Sequence, residues 1–165
     1  DSIQPVLWMN IKQSLSEMIV DYDSDDILEA YMCAQCNTNQ RTLLRSEIAS
    51  SPEMLVLALR RFKRSEQGAF VRNTQRVDLI PPLVLPVRPE IGVENSTVYN
   101  VYAVIHHRGN RPDSGHYYAD IRRHDKWFRC NDRAVTSSLI DVLGNETAYV
   151  VFFKRQGIQH TIQEF

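Results

Sequence analysis

Excess charge of one sign is the first thing this sequence lacks: 19 Lys and Arg stand against 20 Asp and Glu, a formal net charge of −1. Such a balance gives no electrostatic reason to expect nucleic acid or an anionic membrane as a partner. Long apolar runs are missing too, and none nears the roughly 20 residues that a helix needs to cross a bilayer. No signal-peptide pattern stands at or before Asp1, an absence that a processed chain would also show. Cysteine is scarce and odd in number, three in 165 residues. That disfavours a complete disulfide framework and favours a reducing, intracellular setting, cytoplasmic or nuclear. Neither an internal repeat, a low-complexity tract nor an interdomain linker interrupts the chain. With 43% hydrophobic residues, it is long enough for a single domain, residues 1–165, with a real core.

What is present reads mostly as strand. The runs "VLWMNI", "MLVLALRRF" from Met54, "VYNVYAVIHH" from Val98 and "AYVVFFKR" from Ala148 are rich in β-branched and aromatic residues. Short polar or proline-rich connections separate them, so antiparallel pairing is expected. Four of the seven prolines fall in "LIPPLVLPVRPE", which excludes a central strand and leaves a connector or an edge. Two short helices are predicted. "SLSEMIVDY" carries a capping box, Ser14 with Glu17, ahead of Leu15, Met18, Ile19 and Tyr22 at helical spacing. "SSLIDVLG" offers Ser137 or Ser138 as cap, Asp141 in the first turn and Gly144 as the stop.

The stretch "SGHYYADIRRHDKWFRCND", Ser114 to Asp132, reads as a hairpin with a four-residue turn, Arg122 to Asp125. Counting outward from the turn pairs Asp120 with Trp127, Tyr118 with Arg129 and His116 with Asn131. Opposed residues share a face with Cβ atoms about 4.5–5.5 Å apart, so an Asn131 oxygen reaches an imidazole N–H, as a general base is held. Cys130 points to the other face by the two-residue period and is a poor nucleophile for that histidine. The plain alternative is a hydrogen-bonded strand histidine beside a surface Asn. Cys33 and Cys36 in "YMCAQC" have the spacing by which one tight turn offers two thiolates to a tetrahedral zinc, yet such a site needs four ligands. Two reduced thiols on a bare turn are the other reading.

Taken together, "YMCAQC", "SSPEMLVLALRRFKR", "VDLIPPLVL", "YNVYAVIHHRGN", "SGHYYADI", "KWFRCNDRAVT" and "AYVVFFKR" resemble, in order and spacing, the C-terminal half of the ubiquitin-specific protease family. The resemblance covers roughly Ile3 to Arg155. It implies an α+β fold: the mostly antiparallel palm and fingers of a papain-like cysteine protease, with a few short helices and without the N-terminal helical half. It also implies cleavage of the isopeptide bond after the terminal glycine of ubiquitin, or of a ubiquitin-like modifier. In that family the histidine of "GHY", here His116, is the general base. The polar residue four after the tryptophan, here Asn131, orients it, and Asp132 matches a neighbouring acidic position. The resemblance further implies that the loop from Arg108 to Ser114 borders the channel for ubiquitin's tail and that Gly115 and Tyr117 line it. The Cys33–Cys36 pair resembles the second of two knuckles on zinc-binding fingers.

The chemistry suits those roles. A thiol of ordinary pKa ~8.5 is mostly protonated at neutral pH, and a paired imidazole lowers that value and generates the thiolate. An Asn on the other ring nitrogen fixes tautomer and orientation without adding charge. One departure from the family is large: residues 1 to 32 contain no cysteine, and nothing matches the family's nucleophile. The expectation is therefore a chain that supplies base and orienter to a cysteine on an N-terminal half, its partner alongside ubiquitin or a ubiquitinated protein. The alternative is a catalytically inactive ubiquitin-binding or scaffold module. A second departure is Cys130, standing where the family usually places an aromatic.

Overall fold

The computed structural model describes residues 6–46, 48, 51–79, 82–87, 95–138 and 146–156. Among them a large sheet carries most of the chain. Strands β1 (Leu7–Met9), β4 (Met54–Leu59), β12 (Ala148–Arg155), β8 (Asn95–Arg111), β9 (Ser114–Arg123), β10 (Lys126–Asn131) and β11 (Ala134–Ser138) follow one another across it. The remaining member, β7 (Leu83–Val87), pairs only with β8. Its place at an edge is what Pro86 requires, since proline donates nothing to a ladder. Neighbours run antiparallel except β1 and β4, which are parallel. Two further ribbons stand apart, β2 (Asp25–Met32) with β3 (Asn39–Arg45), and β5 (Phe62–Arg64) with β6 (Phe70–Arg72).

The fold is thus the expected α+β, mostly antiparallel sheet, with one helix among the described residues, α1 (Leu15–Tyr22). Ser14 caps it, its hydroxyl accepting from the Glu17 N–H at 3.2 Å, while the Glu17 carboxylate accepts from the Gln13 N–H. Leu15, Met18 and Ile19 are buried from the helix, each adding roughly 1.5–3 kcal/mol relative to exposure. They join Leu57, Leu59, Leu83, Leu85, Val101, Val104, Val151 and Phe153 in one core. Of the second predicted helix, Ser137 and Ser138 belong to β11, and positions 139–144 lie outside the described residues.

Where β4 ends and β12 begins, a buried cation fastens the structure as well as apolar packing. Arg61, 1% exposed, donates to the carbonyls of Ala148, Asn73 and Gln75 at 2.5, 3.1 and 2.9 Å. Burial, then the nearby Arg72 charge, lowers its guanidinium to about 10, so it remains charged at neutral pH. The β2–β3 ribbon has almost no buried residue and no apolar alternation to announce it.

Candidate active site

The β9–β10 hairpin turns at His124 and Asp125, both with left-handed backbone, φ 46° and 61°. Two successive positive φ values match the right-handed twist of the flanking strands. The observed pairs are Lys126 with Arg123, Trp127 with Arg122 and Arg129 with Asp120. Relative to the four-residue turn expected from sequence, the register is displaced by two residues. A shift of two leaves every side chain on its expected face. Asn131 consequently stands opposite Tyr118, with His116 as its diagonal neighbour.

The imidazole and the amide meet all the same. His116 Nε2 lies 2.5 Å from Asn131 Oδ1, both side chains at the solvent-exposed end of the hairpin. An amide oxygen only accepts, so the contact calls for a proton on Nε2, and in the neutral ring that leaves Nδ1 as the acceptor. Asp132 follows in the β10–β11 turn at φ 50°. Among the described residues no hydrogen bond given by the structure joins it to His116.

Gly115 and Tyr117 share the other face of β9. A Cβ at Gly115, whose φ is 152°, would stand 2.4 Å from both the Arg108 carbonyl oxygen and His107 Nε2. The protein's own packing therefore requires glycine there. Tyr117, about half exposed, leans on His107 and Tyr149 with ring centroids 4.5 and 6.2 Å away. Ser114 is exposed and pairs with Arg111 across a turn closed by the Arg111–Asp113 ion pair. The Arg108–Ser114 segment is thus the end of a hairpin rather than an open loop, with a bulge between Arg108 and Arg111.

His107 is fully buried beneath these residues. Arg72 reaches across from β6 and donates to the carbonyls of His107, Gly109 and Glu146 at 2.8, 2.7 and 3.1 Å. Burial, and next the Arg72 charge, push the His107 imidazole below its ordinary value. On the His116 face lies a second buried group that the sequence reading left out. Asp120, fully buried, accepts from Arg129 Nε at 3.1 Å and Nη2 at 2.9 Å, and His106 Nε2 lies 3.0 Å away. Burial raises its carboxyl, but the hydrogen bonds from His106 and Arg129 outweigh that and hold it below the ordinary carboxylate value. The period-two series His116, Tyr118, Asp120, followed along its own face, would have located it.

An imidazole held by an amide, on strands of this order, has clear relatives. The family model of ubiquitin carboxyl-terminal hydrolases matches residues 8–153. This chain belongs to that family. Among curated members it is 31% identical over 150 residues to the mouse ubiquitin carboxyl-terminal hydrolase 17-like protein D, and 30% over 141 residues to human ubiquitin carboxyl-terminal hydrolase 3. Those matches cover 87% and 81% of this chain but only 27% and 26% of the relatives. The chain thus spans about a quarter of their length. In fold it is similar to a chain of the SAGA Ubp8/Sgf11/Sus1/Sgf73 DUB module bound to ubiquitin aldehyde, with TM-score 0.76 and 24% identity. The likeness covers 92% of this chain and 36% of that one, consistent with the C-terminal portion that the motif order implies.

The cysteines of this family member sit away from His116. Cys130 opposes Ala119 and Val135 in the sheet, on the face away from the imidazole. Cys33 and Cys36 occupy the turn joining β2 to β3, which Asn37 closes with φ 53° and an N–H donated to the Cys33 carbonyl at 2.9 Å. Cys36 Sγ is 3.0 Å from Thr38 Oγ1 and accepts from Gln40 Nε2 at 3.1 Å. Two thiols on one turn fit half of a tetrahedral zinc set. Among the described residues no group of three or more His, Cys, Asp and Glu could hold a metal ion.

Proposed function

We propose that this chain belongs to a thiol-dependent deubiquitinase, in which His116 is the general base, Asn131 its orienting partner and Asp132 an auxiliary acidic group. The observation that carries the reading is the His116 Nε2 to Asn131 Oδ1 contact, which leaves Nδ1 free toward a thiol. The nucleophile comes from an N-terminal segment or partner chain outside this sequence, because Cys33, Cys36 and Cys130 all lie elsewhere. Nδ1 takes the thiol proton, and the thiolate attacks the carbonyl carbon of the isopeptide bond. The imidazolium returns the proton to the leaving lysine amine. Water, deprotonated by the same nitrogen, then attacks the thioester carbonyl, and the C–S bond breaks to free the ubiquitin carboxylate and restore the cysteine thiolate beside the imidazolium.

Ubiquitin, or a modifier with the same terminal glycines, is the substrate in this reading, its tail passing Ser114, Gly115 and Tyr117. Zinc, if bound, is held by Cys33 and Cys36 with ligands from outside the described residues, and would brace the ribbon rather than take part in hydrolysis. A reducing cytoplasmic or nuclear setting belongs to the same proposal.

The test is reaction of the full-length protein carrying this chain with ubiquitin bearing an electrophilic C-terminus. A covalent adduct is expected, together with loss of hydrolysis in His116→Ala. Full-rate hydrolysis without His116 overturns the assignment. The location of the cysteines favours one second reading, a ubiquitin-binding or scaffold module without chemistry. Saturable ubiquitin binding by the full-length protein, with no adduct and no turnover, would decide for it.

A further inference from the structure

The His116–Asn131 pair is exposed, so what fixes its orientation has to lie beneath it. Antiparallel register arranges the residues below in rungs. Arg108 of β8 stands beside His116; His106, Tyr118 and Asn131 form the next rung; Val104, Asp120 and Arg129 form the third. Tyr118, His106 and Asp120 are buried, so the ladder runs from solvent into the sheet.

Tyr118 is the floor of the site, directly opposite Asn131. Its ring lies 23° from parallel to the His116 ring at 6.5 Å. Four contacts fix it. His106 stacks on it at 4.6 Å and 8°, and the guanidinium carbons of Arg108 and Arg129 lie over it at 5.2 and 4.9 Å. Its hydroxyl is 3.0 Å from Thr147 Oγ1. Of these groups His106 and Arg129 also reach the buried carboxylate, and only Arg129 does so from the strand of Asn131, two residues before it on the same face. A planar fork on a carboxylate sets direction as well as distance, which a flexible ammonium cannot do.

We propose that Arg129 is a positioning residue: its fork on buried Asp120 and its cap on Tyr118 fix the floor on which His116 and Asn131 meet. The inference rests on the assignment of His116 as general base, and its test separates the two. The first readout is the imidazole ¹⁵N spectrum of His116 in the full-length protein, which reports the tautomer without any catalysis. The second is kcat and KM for hydrolysis by the full-length protein.

Arg129→Met keeps an unbranched side chain and removes the guanidinium, and with it both the fork on Asp120 and the cap on Tyr118. It is expected to turn the single Nε2–H tautomer of His116 into a mixture and to lower kcat about 10- to 100-fold, the scale of a small misplacement of a reacting group. KM should stay within about twofold, and Arg129→Lys should recover only part of the loss. Asp120→Asn, read in the same way, serves if Arg129→Met does not fold. An unchanged tautomer in a folded variant overturns the inference, whatever happens to melting temperature. If His116→Ala hydrolyses at full rate, the base assignment fails, while the tautomer in Arg129→Met still decides whether Arg129 positions the ring.

Discussion

Gly115→Ala is the sharpest test of the packing behind the site, because two separate costs can be worked out for it. The first is backbone: a φ of 152° lies outside the range that L side chains readily adopt, and such strain costs about 1–3 kcal/mol. The second is contact: the added methyl would stand 2.4 Å from the Arg108 carbonyl oxygen and from His107 Nε2. Overpacking of this kind adds about 1–3 kcal/mol. His107 is fully buried and its backbone is held by Arg72, so it has little freedom to withdraw. The sum is about 2–6 kcal/mol, or a fall in Tm of roughly 5–20 °C for a chain of this size. Gly68→Ala is the control, since Gly68 has φ 81° but nothing within 4 Å of a Cβ, leaving the backbone cost alone. Urea unfolding of both variants separates the costs. A Gly115→Ala loss no larger than the Gly68→Ala loss would refute the claim that His107 and Arg108 fill the missing side chain's place.

Asn131→Ala should lower turnover of the full-length protein by about 10- to 100-fold through loss of orientation, while urea unfolding shifts by less than about 0.5 kcal/mol because the residue is exposed. Trp127 packs against the core from a partly buried position. Trp127→Ala should therefore cost about 2–3 kcal/mol in the same assay, less than for a fully buried ring. His107, with a lowered pKa, adds stability that is complete above its unfolded value of about 6.5 and is lost as pH falls below it. Denaturant midpoints should accordingly drop between pH 7 and pH 5, and the drop should be smaller in His107→Gln. Asp120, also lowered, gives a second loss below about pH 3.9 as the carboxyl protonates.

Much of the site was legible in the sequence because strands have a period of two. Which residues share the His116 face follows from parity, and parity survives a register error of two, so the sequence pairs Asn131 with His116 although the observed turn has two residues rather than four. The turn itself was hard to read because "RRHD" contains no glycine, and the left-handed backbone falls on His124 and Asp125 instead. Strands β4 and β12 announced themselves as apolar runs buried in the core. The β2–β3 ribbon did not, since a strand exposed on both faces leaves no alternation. The parallel pairing of β1 with β4 depends on long-range topology that no local pattern carries. The Asp120–Arg129 pair was missed because a charge on a strand reads as a solvent face until its partner is known.

Arg72 joins segments that are far apart along the chain, linking the small β5–β6 hairpin to carbonyls at positions 107, 109 and 146. Amide protons in the hairpin and in the bulge at Gly109 are therefore expected to exchange with solvent as one cooperative unit. Fraying of a peripheral two-stranded ribbon would reach the edge of the imidazole site through a single guanidinium, with no need for the large sheet to open.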